Sequence, residues 1–380
     1  MPFFSFSINE IDSRLTKFNI TSNNVYFSKN TELWKNLNKE NSSIINFLKR
    51  EKRLYIDNIS KKILFCLPPS IGLGDAIEYA MAIKKITERI TFDKVGVSFP
   101  GKYSFIFRDF FKLPIIYPFT IKKNEIDSFD TIFHLTLEIK SLVNQKYSRS
   151  NIFEEIINFF NIKNLQKKQI QTKRKCRINK ISIFPVSSSP IRTMPIKILK
   201  ELIKVLTKDY VIEIFLDHSS EISNFLHDNI NTEMIHIINP IGTSDLISSI
   251  KKIQYGIFMD SGPLHVAKML NKRGLLLESS VSSKILLKNY NLIKGIENNF
   301  TSAYCDAPCG LTDIFNYQNS FGCYDSLRLN SLKIKNNNFK DINNRGVKNY
   351  YLENFKKPPG CSLSLNVQNI YNAIKKDMFL

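Results

Sequence analysis

The chain has 380 residues, and its 54 Lys and Arg against 34 Asp and Glu give a formal net charge of +20. That length exceeds one ordinary core and suits two domains, while 43% hydrophobic residues exclude disorder throughout. No apolar run approaches the roughly 18 residues that a spanning helix needs, and residues 1–7 lack the basic leading segment of a signal peptide, so neither is expected.

In chain order, residues 1–60 read as an N-terminal extension. They hold the single Trp34 and a helical pattern through Leu33, Leu37, Ile44, Ile45 and Leu48. An α/β rhythm starts at residue 61. The apolar run 63–67 predicts a buried strand, a turn with Gly72 and Gly74 follows, and Asp75 opens a helix with Ile77, Ala80, Met81 and Ile86 inward. Residues 95–99 and 131–135 predict further strands. Strands alternating with helices predict a parallel sheet, so 61–165 reads as a first domain. The basic stretch 166–180 reads as a linker. The second domain, 181–350, is expected to carry strands at 181–184, 211–216, 234–238, 257–259 and 274–277. Helices are expected through Ile198, Leu199, Leu202, Ile203 and Leu206, then over 245–253 and 263–270. Residues 335–344 predict a loop. The region 351–380 predicts a closing helix with Val367, Ile370, Tyr371 and Ile374 as its apolar stripe.

In open α/β sheets ligands bind where strands end and loops lead into helices. One such loop is Asp260-Ser261-Gly262-Pro263-Leu264-His265. A strand is expected to end at Asp260, with Pro263 at the first helical position, where its missing N–H costs nothing. Ser261 and Gly262 then offer backbone N–H groups to an anion, with His265 one turn in. The same residues also fit plain helix capping. A second loop, Gly72-Leu73-Gly74-Asp75, leaves the same pair open for Asp75. It caps its helix, or it serves as a general base facing a ligand.

Taken together these stretches resemble glycosyltransferase family 9, the heptosyltransferase-like family. Gly74-Asp75 matches its early Gly-Asp, and Ser187-Ser188 with Arg192-Thr193-Met194-Pro195 matches a hydroxyl pair followed by a basic residue and Pro. Glu221 matches its acidic residue after the next strand, and Gly242-Thr243-Ser244-Asp245-Leu246 matches its Gly-Thr loop. Asp260-Ser261-Gly262-Pro263-Leu264-His265-Val266-Ala267 matches its most specific segment. The resemblance spans about 61–277 and the closing helix. It implies the GT-B fold, two Rossmann-like doubly wound domains facing across a cleft, with an acceptor-side domain at 61–165 and a nucleotide-sugar donor domain at 181–350.

The resemblance further implies roles. Asp75 is the catalytic base, with Gly72 and Gly74 in the acceptor-side loop. Ser187, Ser188 and Arg192 bind the donor diphosphate, Glu221 the ribose, and Gly242 and Thr243 lie near the base. Asp260, Ser261, Gly262 and His265 hold the sugar and diphosphate. The implied reaction is inverting and needs no metal or other cofactor beyond an NDP-sugar donor, ADP-linked foremost. The implied acceptor is an envelope or lipid-linked saccharide. A catalytically inactive relative that binds nucleotide sugar or glycan is the alternative. The region after Gly74-Asp75 departs from the family in lacking its Pro.

Cys305, Cys309, Cys323 and Cys361 suit either a structural zinc held by four thiolates or reduced thiols packed in loops. All six cysteines are expected in a reducing, cytoplasmic setting. His134 is a candidate acceptor contact or a satisfied core histidine. The basic residues are scattered, without aromatic interleaving, so no nucleic-acid partner is expected. Their field suits phosphorylated substrates and peripheral contact with an anionic membrane face.

Overall fold

Short apolar runs become parallel strands in both halves of the chain, because strands buried on both faces need apolar residues at every position. The computed structural model describes residues 62–67, 71–99, 102–116, 128–129, 131–134, 152–160, 162, 178–217, 220–230, 233–288, 290–302, 305–311 and 347–378. The expected extension at 1–60, most of the linker at 166–180 and the loop at 335–344 lie outside these residues. Two units are distinguished, one of Met1–Gln145 with Ile152–Leu165, the other of Lys146–Asn151 with Gln166–Leu380.

The first unit holds β1 (Lys62–Cys66), α1 (Leu73–Arg89), β2 (Lys94–Ser98), β3 (Ile115–Ile116), β4 (Thr131–His134) and α2 (Ile152–Phe159). Its sheet runs β3-β2-β1-β4, all parallel. Ile63, Leu64 and Phe65 of β1 are buried, and α1 turns Ala76, Ile77, Ala80, Ile83 and Ile86 inward. The ring of Phe65 meets that of Phe160 at 5.9 Å. α1 starts at Leu73, two residues before its expected opening at Asp75, so Gly74 lies in the first helical turn. β2 starts at Lys94 rather than residue 95.

The second unit holds β5 (Lys180–Phe184), α3 (Ile196–Leu206), β6 (Val211–Phe215), α4 (Glu221–Asn229), β7 (Ile235–Ile238), α5 (Gly242–Lys252), β8 (Tyr255–Phe258), α6 (Gly262–Met269), β9 (Gly274–Leu277), α7 (Ser283–Leu286), β10 (Ile293–Ile296), α8 (Val347–Lys356), α9 (Gly360–Leu363) and α10 (Val367–Met378). The six strands run β10-β9-β8-β5-β6-β7, all parallel. Numbered within the unit, that is the doubly wound order in which the winding reverses between the first and fourth strands.

Alternate residues of each strand supply the two faces. Ile181, Ile183, Ile212, Ile214 and Ile257 pack with Leu199 and Leu202 of α3 and with Ile370 and Ile374 of α10. Phe184 occupies the other face, stacked on Phe215 at 4.3 Å and on Phe258 at 4.9 Å. Each such side chain, fully buried, stabilises the fold by about 1.5–3 kcal/mol. The expected apolar stripe of the closing helix is realised, with Ile370 and Ile374 fully buried and Val367 and Tyr371 packed beside them.

Two expected boundaries are corrected at the loops that matter. The strand expected to end at Asp260 ends at Phe258, and α6 starts at Gly262, so Pro263 is the second helical residue. α5 starts at Gly242, three residues before its expected start. Gly242 takes φ +79°, a left-handed conformation that Gly adopts at little cost, and the Asp245 carboxylate accepts the Ile241 N–H at 2.9 Å. No helix among the described residues is long and apolar enough to cross a membrane.

Candidate active site

The reversal of winding in the second unit puts the loops leaving β5 and β8 side by side at the carboxyl edge of the sheet, since β5 pairs with β8 from Ile181↔Tyr255 to Phe184↔Phe258. After β5 the chain makes a single tight turn at Pro190–Arg192 before α3. Thr193, fully buried, fixes that loop from inside: its hydroxyl donates to the Ser189 carbonyl at 2.9 Å and accepts the Ser187 N–H at 3.1 Å.

The two loops are then stitched together. Ser187 Oγ donates to the Asp260 carbonyl at 2.8 Å. Arg192 Nη1 donates to the same carbonyl at 3.0 Å and to Asp260 Oδ2 at 3.1 Å, while Nη2 reaches Ser188 Oγ at 2.9 Å. The pair is largely shielded, with side-chain exposures of 15% for Arg192 and 8% for Asp260. A guanidinium held by three oxygens is pre-oriented, and it keeps a positive charge at this edge. The expected residues Ser187, Ser188, Arg192 and Asp260 thus form one hydrogen-bonded cluster.

Ser261 follows directly, buried, in the position before α6. Its hydroxyl does not cap the helix but donates back to the Met259 carbonyl at 3.3 Å. The amides of Ser261 and Gly262 therefore start α6 without a side-chain cap. The eight-residue helix directs the positive end of its dipole at the Arg192 cluster's own edge. His265 sits one turn along, half-buried. Glu221, the exposed first residue of α4, and the pair Gly242–Thr243 at the start of α5 line the same carboxyl edge beyond β6 and β7.

In the first unit, β1 and β4 are neighbours, and His134 pairs in register with Cys66 at the end of β1. The Asp75 carboxylate lies at the third position of α1 and accepts the Gly72 N–H at 3.2 Å, so the capping geometry is realised. Burial, with the Asp75 charge added, raises the Tyr79 phenol well above its usual range. Tyr79 is therefore a neutral group at any working pH.

No protein-family profile matches the chain, and no curated protein sequence matches it. Among solved structures, the glycosyl transferase family 9 protein of Veillonella parvula is similar over 84% of this chain and 98% of its own, at TM-score 0.51 and 11% identity. The chain shares the fold of that protein. The dodecameric iron-containing glycosyltransferase TibC of enterotoxigenic E. coli is similar over 84% of this chain and 77% of its own, at TM-score 0.46 and 10% identity. The E. coli heptosyltransferase WaaC with ADP is similar over 62% of this chain and 93% of its own, at TM-score 0.42 and 10% identity. The α/β class expected from the sequence stands: GT-B, with a parallel, doubly wound sheet in the second unit and the matching core order in the first.

Within this fold several residues at the site escape a reading of the sequence. Thr193 is one, because a buried hydroxyl that ties a loop has no periodic signature. Glu278, after β9, is another. Its buried carboxylate accepts the Ser283 N–H at 2.6 Å and the Asn298 N–H at 3.0 Å. Asn298 in turn donates to the carbonyls of Glu278 and Cys361, and Ser362 Oγ donates to the Ile191 carbonyl at 3.1 Å. The C-terminal segment is thereby fastened to the turn that carries Arg192. Of the expected cysteine set, Cys309 is half-buried and Cys361 buried. Cys323 and the side chain of Cys305 lie outside the described residues. Among the described residues no three His, Cys, Asp or Glu side chains gather as metal ligands.

Proposed function

We propose that the chain is an inverting glycosyltransferase that moves a sugar, heptose foremost, from an ADP-linked or other NDP-linked donor to an envelope or lipid-linked saccharide. The observation that carries this reading is the cluster at the carboxyl edge of the second unit. An oriented Arg192 stands beside the uncapped start of α6, at the place where a doubly wound sheet binds phosphates.

In this reading residues 181–350 bind the donor, residues 61–165 the acceptor, and the extension and the C-terminal region complete them. Ser187, Ser188, Arg192, Asp260, Ser261, Gly262 and His265 hold the diphosphate and the sugar attached to it. Glu221 takes the ribose, and Gly242 with Thr243 borders the base. The Asp260 carboxylate acts chiefly on Arg192, aiming the guanidinium that meets the phosphates. Asp75 accepts the proton of the acceptor hydroxyl as its oxygen attacks the anomeric carbon, opposite the departing diphosphate, so configuration inverts. Negative charge grows on the leaving group, and the Arg192 guanidinium and the partial positive charge at the start of α6 stabilise it in the role a metal ion has elsewhere. The excess of basic residues suits a protein working at the inner face of a membrane that carries an anionic glycolipid.

A thermal-shift series tests this. ADP, GDP, UDP and their sugars are each added to the full chain. A ligand that binds only the native state at 100 times its Kd stabilises it by about 2.7 kcal/mol, a shift of several degrees. ADP and an ADP-sugar are expected to raise Tm most. No shift with any nucleotide of the series would refute the reading.

A further inference from the structure

The loop leaving β9 carries a feature that the proposed donor site does not yet use. Glu278-Ser279-Ser280-Val281-Ser282-Ser283 is pinned at both ends. At one end the Glu278 N–H donates to the Ile296 carbonyl at 3.1 Å, and at the other the Glu278 carboxylate accepts Ser283 N–H and Ser282 Oγ–H. Between these anchors the Ser280 carbonyl accepts the Gly310 N–H at 2.7 Å. Ser279 and Ser280 are 0% and 1% exposed, yet neither hydroxyl has a hydrogen-bond partner among the described residues. Buried hydroxyls almost always have partners, and leaving one without costs about as much as a lost hydrogen bond. Two in succession, on a loop anchored at both ends, call for a partner from outside the chain.

Their place in the sheet says what that partner is. The strand order is β7-β6-β5-β8-β9. On the proposed reading, base, ribose and diphosphate follow that order: Gly242 and Thr243 after β7, Glu221 after β6, and Ser187, Arg192 and Ser261 after β5 and β8. A nucleoside diphosphate sugar is a linear molecule, so its next group falls at the next strand, which is β9. That group is the sugar ring.

We propose that Ser279 and Ser280 bind the sugar of the donor through its ring hydroxyls. A serine hydroxyl both donates and accepts, which is what a sugar hydroxyl requires of its partner. Buried partners also discriminate: a site that hydrogen-bonds a hydroxyl disfavours a ligand lacking it, because its own group stays unpaired. The pair therefore sets which sugar is carried rather than how tightly the nucleotide is held. This inference rests on the donor reading above.

The test measures binding of ADP, ADP-heptose and ADP-glucose to the full chain and to Ser279→Ala, Ser280→Ala and the near-isosteric Ser280→Cys. Ser98→Ala is the control, since Ser98 Oγ is likewise buried without a protein partner but lies at the end of β2 in the first unit. All the alanine variants are expected to melt at or above the wild-type temperature without ligand, because each removes an unpaired buried group. Affinity for the preferred ADP-sugar should fall about three- to tenfold in the Ser279 and Ser280 variants, with ADP itself unchanged. Ser98→Ala should leave both ligands alone. Unchanged affinity for every sugar nucleotide would overturn the inference, leaving a trapped water as the hydroxyls' partner while the donor site stands. An equal loss for ADP and ADP-sugar would also overturn it, by moving the pair to the diphosphate. If the wild-type chain binds none of the ligands, the donor reading falls and takes this inference with it.

Discussion

The two edges of the six-stranded sheet are built from the same strands and treat polar groups in opposite ways. At the amino edge each polar group found has a partner within the protein. The buried Asp377 of α10 accepts from the Tyr255 hydroxyl at 3.0 Å and pairs with Lys294 and Arg273. Gln254 Oε1 accepts the N–H groups of Asn179 and Lys180 at 3.1 and 3.2 Å. Lys272 Nζ donates to the carbonyls of Lys251 and Ile253. At the carboxyl edge, α6 begins without a side-chain cap, and Ser279 and Ser280 keep two buried hydroxyls unbonded. An unpaired buried polar group costs about 1–3 kcal/mol. A chain that closes one edge so thoroughly has the means to close the other, so the open edge marks the place where something else completes the bonding.

The sharpest way to break this contrast is at Arg192. Arg192→Ala removes the cation from the carboxyl edge and strands the Asp260 carboxylate, which is 8% exposed. We expect turnover to fall about 100-fold or more, the scale on which a charge-stabilising group is missed in the transition state. Stability should fall as well, by about 3 kcal/mol, because a buried carboxylate loses its partner. Arg192→Lys keeps the charge but not the fork that meets Asp260 and Ser188 together, so it should recover little of the rate. Steady-state kinetics beside urea unfolding separates the two effects. A variant that lost stability but kept its rate would make the carboxyl edge as purely structural as the amino one.

The complementary change lies at Asp377. Asp377→Asn removes the charge shared by Lys294 and Arg273, whose side chains are 46% and 28% exposed. With partners partly in water, the loss falls between that of a surface pair and that of a buried one, about 2 kcal/mol. Affinity for the nucleotide should not move, since the change sits at the opposite end of the strands. Urea titration and ligand titration of the same variant check both halves. Weakened nucleotide binding would mean that the two edges are coupled through the sheet.

How far the sequence discloses this arrangement also differs between the edges and the interior. Central strands are legible because burial on both faces demands an unbroken apolar run; Gly274-Leu275-Leu276-Leu277 is bounded in the structure as its pattern predicts. The outer strands are not. In Ile293–Ile296 the two middle residues, Lys294 and Gly295, are exposed, so the run never forms, and Ile115–Ile116 is too short to register. At the site, Ser187, Ser188, Arg192 and Asp260 were legible as a set only through their likeness to a family pattern. What joins them, bonds between residues about 70 positions apart, has no period to detect. Thr193 and the Glu278–Asn298 pair were hidden for the same reason. Ser279-Ser280 did leave a signal, a hydroxyl pair after an apolar strand and one acidic residue, much as Ser187-Ser188 stands shortly after β5.

The smallest effect expected concerns the exposed end of the amino edge, where α10 meets the turn before β6. Tyr371 donates to Asp209 Oδ2 at 2.6 Å and Lys375 pairs with it at 3.0 Å. The Tyr371 hydrogen bond first, and the Lys375 ammonium after it, hold the Asp209 carboxyl below its ordinary value. A folded-state pKa below the unfolded one means that the contribution is complete above the unfolded value of about 3.9 and is lost as pH falls through the lower folded one. Wild type should therefore exceed Asp209→Asn in Tm by a small constant margin from about pH 5 upward through neutrality, and the margin should close in stronger acid. Both groups face solvent, so salt should shrink the part owed to Lys375 and leave the part owed to Tyr371, which is a hydrogen bond. A margin that persisted unchanged into strong acid would show that Asp209 holds α10 through its shape alone. The amino edge would then be closed by packing, with its outermost ion pair contributing nothing.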